Sequence, residues 1–211
     1  MLKDYVRELN SIKSSLNEIL DDINRANEEF LNSLESIKAL DYLKNISNRC
    51  SKIDNSLVLI LAKYAPEASD LRSVVAYLKI TTILVRVSSN TRKLIKTFSK
   101  ANIDNEVVEE FFVPMHKEAI KALSAVSEMI KSQSSDEIKD IFNTVVVCES
   151  KSDDYFKALE ESIVQKSAHD IDEFKRYQRL LYSARKSEKI SDRALSIASL
   201  LLYAKVGGEL L

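Results

Sequence analysis

Two pairs of carboxylates in the second half of the chain have a spacing that suits metal binding. Glu149 and Asp153 are four residues apart, and so are Glu188 and Asp192. Residues i and i+4 share one face of a helix, so each pair would destabilise an isolated helix by roughly 0.2–0.5 kcal/mol. A cation held by four carboxylates would offset that repulsion. Ligation by oxygen alone favours hard or borderline ions such as Fe, Mn, Mg or Ca.

Ordinary surface ion pairs are the alternative explanation for the same carboxylates. Arg185 lies three residues before Glu188, Lys189 lies three before Asp192, and Lys157 lies four after Asp153. Each of these bases is within reach of its acid on a helix. The residues alone leave both interpretations open.

The other reactive side chains do not indicate catalysis. His116 and His169 lack the H-E-x-x-H spacing of helical zinc proteases, and neither has a glutamate three residues before it, as metal oxidases built in helical bundles require. We expect both histidines to cap helices or to be half-exposed. Cys50 and Cys148 form no C-x-x-C pair and are expected to be free thiols that serve as small apolar residues. The sequence therefore predicts a protein that is not an enzyme.

Composition excludes several classes of fold and function. The chain has 211 residues, of which only two are glycine and two proline, and the first 206 residues contain no glycine. Sheet proteins need glycine at many turns, and nucleotide-binding loops need it where the backbone approaches a phosphate. An all-α fold without such loops is predicted.

Charge and hydropathy indicate where the protein acts. Lys and Arg number 31 against 32 Asp and Glu, which gives a net charge of −1 and no basic stripe for nucleic acid. No apolar run is long enough to span a bilayer, and the N-terminus lacks the apolar core of a signal peptide. We therefore expect a cytoplasmic protein that binds no nucleic acid and reaches the membrane only through partners.

Apolar residues at steps of three and four predict six long antiparallel helices. The first ends near residue 36, the third has Pro66 in its first turn, and the fourth contains Pro114, which either kinks it or marks a separate turn. Ser134 and Glu137 have the spacing of a capping box at the start of the fifth helix. The opening helix runs to about residue 36, and the other predicted ranges are about 43–64, 66–99, 106–132, 134–166 and 169–205, with Gly207 as a C-cap.

The polar segment 100–105 is the best linker in the middle of the chain. It divides the six helices into two sets of three. The sequence thus predicts two tandem three-helix bundles produced by internal duplication, with domains at 1–104 and 105–211.

The segment LAKYAPEASDLRSVVAYLKITTIL at 61–84 resembles the signature of the PhoU family of phosphate-uptake regulators. A second copy resembles it around Glu188-Lys189-Ile190-Ser191-Asp192 and continues to Gly208-Glu209. The resemblance covers essentially the whole chain and implies the two-bundle fold.

The resemblance also implies a metal site in one bundle. Family members that bind metal carry E/D-x-x-x-D on two helices of each bundle, and Glu149, Asp153, Glu188 and Asp192 match that pattern as metal ligands. The corresponding first-half positions read Cys50-x-x-x-Asp54 and Val85-x-x-x-Ser89, where only Asp54 is acidic. We expect Fe, Mn, Mg or Zn in the second bundle alone. Cys50 is either a core residue or a thiolate ligand.

The function implied by the resemblance is negative regulation of phosphate transport and phosphate-starvation signalling. The implied partners are the ATPase of the phosphate ABC transporter and the sensor histidine kinase, and association of two copies is left open. The alternatives are a helical-bundle adaptor for another transporter or signalling system, and a helical protein that binds metal through carboxylates.

Overall fold

The computed structural model describes residues 2–34, 38–101, 105–166 and 171–207. Within these ranges every regular element is helical, which confirms the all-α prediction. Six helices are long, two are single turns, and one short segment is a π-helix. The elements are α1 Leu2–Ser33, α2 Ala39–Tyr42, α3 Ile46–Tyr64, α4 Ala68–Phe98, α5 Asn105–Val107, the π-helical segment Val108–Phe112, α6 Val113–Lys131, α7 Ser135–Lys166 and α8 Ile171–Val206.

The long helices form two three-helix bundles, as predicted. Helices α1, α3 and α4 pack together in the first bundle, and α6, α7 and α8 pack together in the second. The apolar stripe of α1 is fully buried, since Leu16, Ile19, Leu20 and Ile23 are 0% exposed. Such a stripe at helical spacing is what a helix buries against its neighbours, at a gain of about 1.5–3 kcal/mol for each large side chain.

The two bundles share one continuous hydrophobic core. Among the described elements, α4 and α8 have the most extensive contact, and α1 also packs against α6. The ring of Phe30 on α1 is fully buried, and its centroid lies 5.3 Å from that of Phe98 and 6.3 Å from that of Phe112. Apolar packing therefore holds the bundles side by side.

The structure corrects the start of the third helix. Pro66 was expected in its first turn, but α4 begins at Ala68 with Glu67 as its N-cap. Ala65 and Ala68 both have positive φ, so the chain turns sharply on either side of the proline. Proline biases the residue before it away from the α conformation, and here that residue is left-handed rather than helical.

A separate π-helical turn precedes Pro114, which resolves the choice left open by the sequence. Pro114 lies in the first turn of α6, directly after the π-helical segment. Its ring nitrogen has no hydrogen to donate to the carbonyl of Glu110, and its ring would collide with that carbonyl in a regular helix. Widening the turn removes the conflict.

The remaining predicted boundaries are close to the observed ones. Helix α1 ends at Ser33, and the backbone N–H of Glu137 donates to Ser134 Oγ at 3.4 Å, as a capping box requires. The Glu137 carboxylate accepts from the hydroxyl of Ser132 instead of closing the box. Gly207, at φ +86°, donates its N–H to Tyr203 and ends α8 as predicted. The proposed start at His169-Asp170 lies outside the described residues.

The proposed domain boundary at 104 and 105 falls at a gap between described ranges and stays a prediction.

None of the described helices combines the length and apolar character needed to cross a bilayer.

Candidate metal centre

Three of the four predicted ligands meet on the surface between α7 and α8. Glu149 and Asp153 are one turn apart on α7, and Asp192 approaches them from α8. One carboxylate oxygen from each residue can be chosen so that all three lie within 4.8 Å of one another, and all three residues are half-buried. We call these residues the acid triad.

The donor set of the acid triad fits a hard or borderline cation. Oxygens around such an ion lie about 2.0–2.6 Å from it, so two oxygens on opposite sides are about 4–5 Å apart. The spacing of the triad lies within that limit, and its donors are carboxylates alone. Three protein oxygens would leave further coordination positions open, as is usual for Mg²⁺ and Mn²⁺ sites that retain water.

The fourth predicted ligand, Glu188, is held by a neighbouring lysine. Lys189 Nζ donates to Glu188 Oε1 at 2.8 Å and to Asp192 Oδ2 at 2.6 Å. The side chain of Glu188 is only 14% exposed, against 43% for Lys189. The ammonium of Lys189 therefore joins Glu188 to the triad and supplies the nearest positive charge.

Electrostatics around the acids favours the binding of a positive charge. Burial, followed by the charges of Asp153, Asp192 and Glu188, raises the pKa of Glu149. Burial also raises the pKa of Glu188, although the hydrogen bond from Lys189 counteracts part of the increase. The two hydrogen bonds to carboxylates in turn raise the pKa of Lys189. A cation would relieve the repulsion that raises these carboxyl pKa values.

The sequence offered three bases as surface ion-pair partners for the predicted ligands, and one of them forms the expected pair. Lys189 pairs with Asp192, as its spacing predicts. Arg185 instead pairs with Glu160, at 3.1 Å across to α7. Among the described residues Lys157 makes no ion pair with Asp153. In the part of the chain that the structure describes, Asp153 thus lacks the local partner that the sequence offered it.

The corresponding surface of the first bundle has different chemistry. Thr81 Oγ1 donates to Asp54 Oδ1 at 2.6 Å, so the one remaining acid has a neutral partner. Cys50 is 2% exposed, and burial, with the nearby charge of Asp54, raises the pKa of its thiol to about 11. At neutral pH Cys50 is therefore a protonated core residue rather than a thiolate ligand.

A groove beside the acid triad was not predicted. It lies between α4 and α8, has a volume of about 800 Å³ and includes Glu149 and Asp192 at its wall. Lys79, Arg86 and Arg193 add positive charge, and the remaining lining is mostly apolar or hydroxyl-bearing. The residues come from opposite halves of the chain, so no local spacing in the sequence indicates that they meet.

His116 is a core residue, contrary to the expectation that it would cap a helix or be half-exposed. It is 0% exposed, its Nδ1 lies 2.8 Å from Ser187 Oγ, and its ring stacks on Phe112 with centroids 5.7 Å apart. Burial lowers its pKa to about 4, so the ring is neutral at physiological pH. Its position between the bundles gives it a role in packing. His169 lies outside the described residues.

Two tandem three-helix bundles define an all-α class of protein, and with them the chain has the PhoU-family fold. It is similar to the crystal structure of the phosphate transport system regulatory protein PhoU from Streptococcus pneumoniae. That match has a TM-score of 0.78 at 21% identity and covers 98% of this chain and 99% of the other. It is also similar to PhoU from Pseudomonas aeruginosa, with a TM-score of 0.66 at 19% identity and 98% of each chain covered. No protein-family profile and no curated protein sequence matches the chain.

Proposed function

We propose that this protein is a non-enzymatic negative regulator of phosphate transport and of phosphate-starvation signalling. The observation that carries the proposal is the similarity along 98% of the chain to a phosphate transport regulatory protein, at a TM-score of 0.78. The acid triad, at the position where the sequence resembles metal-binding members, supports it further. The proposed partners are the transporter ATPase and the sensor histidine kinase.

In this proposal the second bundle binds one divalent cation through Glu149, Asp153 and Asp192. The cation would neutralise the three carboxylates and fix α7 to α8, because the ligands come from both helices. Glu188 holds Lys189 at the edge of the site through a 2.8 Å hydrogen bond. The residues of the chain thus position the ligands and supply charge, and no step of catalysis is required of them.

The groove between α4 and α8 is the proposed docking face for the transporter ATPase. It offers apolar surface for packing and the exposed base Arg86 for charge complementarity with an acidic segment of that partner. Because Glu149 and Asp192 belong to both groove and triad, metal would make the groove more positive. Metal and partner are therefore expected to strengthen each other's binding, as reciprocal linkage requires.

The test uses purified ATPase and the cytoplasmic part of the kinase from the same organism, with binding measured by calorimetry. Wild-type protein should bind at least one of them, and Arg86→Glu should weaken binding to the ATPase. Arg25→Glu is a matched control, since Arg25 is exposed on α1 and does not line the groove. A deletion strain carrying a phosphate-starvation reporter should regain repression with wild-type protein.

Two results would decide against this function. If neither partner binds and the reporter is unaffected by deletion, the protein is not a phosphate regulator. Metal binding in that case would favour the alternative of a carboxylate metal-binding helical protein or an adaptor for another system. The molar mass in solution, measured by light scattering, would show whether two copies associate.

A further inference from the structure

A second cleft lies at the end of the molecule where α4 and α7 begin and α8 ends. Its volume is about 310 Å³, and residues from α1, α4, α6, α7 and α8 line it. Lys205 on its rim is 13 residues beyond Asp192 on the same helix, which places the two about 20 Å apart at roughly 1.5 Å per residue. The cleft is therefore separate from the acid triad.

Two lysines approach each other in this cleft. Lys13 on α1 is half-buried, and Lys205 on α8 is exposed. Burial, followed by the charge of Lys205, lowers the pKa of Lys13. Among the described residues neither ammonium has a carboxylate within ion-pair distance. A half-buried cation that faces a second cation is unfavourable unless an anion compensates it.

The lining also offers neutral groups that bind oxyanions. Ser69 and Tyr77 on α4 line the cleft with their hydroxyls, and Ser73 lines it as well, although its hydroxyl donates to the carbonyl of Ser69 at 3.0 Å. Glu67, at the N-cap position of α4, makes no side-chain hydrogen bond to the first turn of that helix. The first-turn N–H groups add positive potential at the same place.

Asp70 is the single acid among the lining residues. Its carboxylate lies close to Tyr5, because that charge, after burial, contributes to raising the pKa of Tyr5 to about 12. Asp70 does not pair with either lysine. The balance of charge in the cleft is therefore positive.

We propose that the cleft between Lys13 and Lys205 binds a multivalent oxyanion of the phosphate or pyrophosphate type. The two ammonium groups neutralise the charge of the anion, and hydroxyls of α4 donate hydrogen bonds to its oxygens. Neither a partner protein nor the metal enters this proposal, so its failure would leave the proposed regulatory function untouched.

Calorimetric titration with pyrophosphate at constant ionic strength tests the site. Wild-type protein should bind, and Lys13→Met and Lys205→Met should each weaken binding about tenfold, a loss of about 1.4 kcal/mol. Lys93→Met is the matched control, because Lys93 is an exposed lysine of α4 that lines neither this cleft nor the groove. Its affinity should equal that of the wild type.

Thermal unfolding separates ligand binding from a structural role of Lys13. Pyrophosphate should raise the melting temperature of the wild type and of Lys93→Met but not that of Lys13→Met. Without anion, Lys13→Met should melt no lower than the wild type, since it removes a half-buried charge that faces Lys205. If Lys13→Met does not fold, Lys205→Met, altered at an exposed position, decides the question.

Inorganic phosphate, pyrophosphate and ADP, titrated separately, distinguish the sources of the anion. Binding of the inorganic anions alone identifies a site for the free ion, and equal binding of ADP identifies a site for a nucleotide phosphate chain. Absence of binding by the wild type overturns the proposal. Equal loss of affinity in Lys93→Met and Lys13→Met also overturns it, because the attraction would then be general electrostatics.

Discussion

Lys189 Nζ donates to Asp192 Oδ2 at 2.6 Å, and this contact places an ammonium at the edge of the acid triad. The lysine lies one residue after Glu188 and binds that carboxylate as well. It therefore supplies part of the positive charge that Glu149, Asp153 and Asp192 require. Lysine and a metal ion compete for the same carboxylate charge.

Replacing this lysine should strengthen metal binding. In Lys189→Gln both Glu188 and Asp192 lose a cationic partner, so we expect the affinity for Mn²⁺ to rise about tenfold, which corresponds to about 1.4 kcal/mol. The metal-free variant should be less stable than the wild type by up to about 1 kcal/mol, because repulsion among the acids is no longer offset. Calorimetry and chemical unfolding measure the two effects.

Lys151→Gln removes the same charge from an exposed position on α7 and is the control. Its Mn²⁺ affinity should stay near that of the wild type. An affinity for Mn²⁺ that is unchanged or lower in Lys189→Gln would contradict the idea that Lys189 competes with metal.

The four predicted ligands should not contribute equally. Asp153→Asn and Asp192→Asn each remove one member of a three-oxygen site, and we expect each to weaken Mn²⁺ binding by more than tenfold. Glu188→Gln should have a smaller effect, since Glu188 contacts Lys189 and lies outside the triad. Elemental analysis of protein purified without chelator, followed by titration, gives the ranking. If Glu188→Gln abolishes binding, the site uses all four carboxylates.

The stability of the metal-free protein should depend on pH through Glu149. Burial and neighbouring acids raise its pKa in the folded state above 4.5, so the folded protein holds this proton more tightly than the unfolded chain. This contribution to stability is complete below about pH 4.5 and is lost as pH rises through the folded pKa. Metal-free Glu149→Gln should therefore become increasingly more stable than the wild type as pH rises towards neutrality.

Unfolding curves of the two proteins at several pH values, with chelator present, provide the measurement. Saturating Mn²⁺ should reverse the order at neutral pH, because the wild type binds the ion and the variant lacks a ligand. A difference between the two proteins that does not change with pH would show that Glu149 does not titrate as inferred.

Much of the fold could be predicted because its signals are local. The scarcity of glycine and the apolar spacing along α1 specify helices, and short links between long helices force antiparallel packing. Glu149 and Asp153 could be found for the same reason, since one turn of helix places them on one face. The pairing of Lys189 with Asp192 also follows from a spacing of three.

The rest depends on contacts between distant segments. The groove between α4 and α8, with Arg86 and Arg193 in its wall, exists only because the two bundles pack side by side. His116 is buried for the same reason, since its ring meets that of Phe30 on α1 of the other bundle at a centroid distance of 5.6 Å. Pro66 lies outside α4 because Ala65 and Ala68 have positive φ values. Alanine rarely adopts this backbone conformation, so an alanine in the sequence does not predict it.

Ala65 offers a test of that strained turn. It caps α3 at φ 44°, where an L-residue is less stable than glycine, and its side chain is exposed. Ala65→Gly should raise the free energy of unfolding by about 0.5–1 kcal/mol, after the greater entropy of unfolded glycine is included. Ala62→Gly is the matched control, since Ala62 is also exposed but lies inside α3. Ala62→Gly should lower the free energy of unfolding by about 0.5–1 kcal/mol. Loss of stability in both variants would show that the turn at Ala65 is unstrained.

Phe30 tests whether the two bundles unfold together. Its ring is fully buried on α1 of the first bundle and makes edge contacts with Phe112 and with His116 of the second, at centroid distances of 6.3 Å and 5.6 Å. Phe30→Ala should cost about 3–5 kcal/mol through lost burial and a cavity.

Because the core is continuous, we expect Phe30→Ala to shift one cooperative transition, observed alike by circular dichroism and by tyrosine fluorescence. Segments 1–104 and 105–211, expressed separately, should each be poorly folded, since each would expose one side of the contact between α4 and α8. Phe174→Ala is the control, because Phe174 is 44% exposed and its loss should leave the transition nearly unchanged. Two separate transitions, with only the first shifted by Phe30→Ala, would instead make each bundle an independent folding unit whose stability does not depend on the shared core.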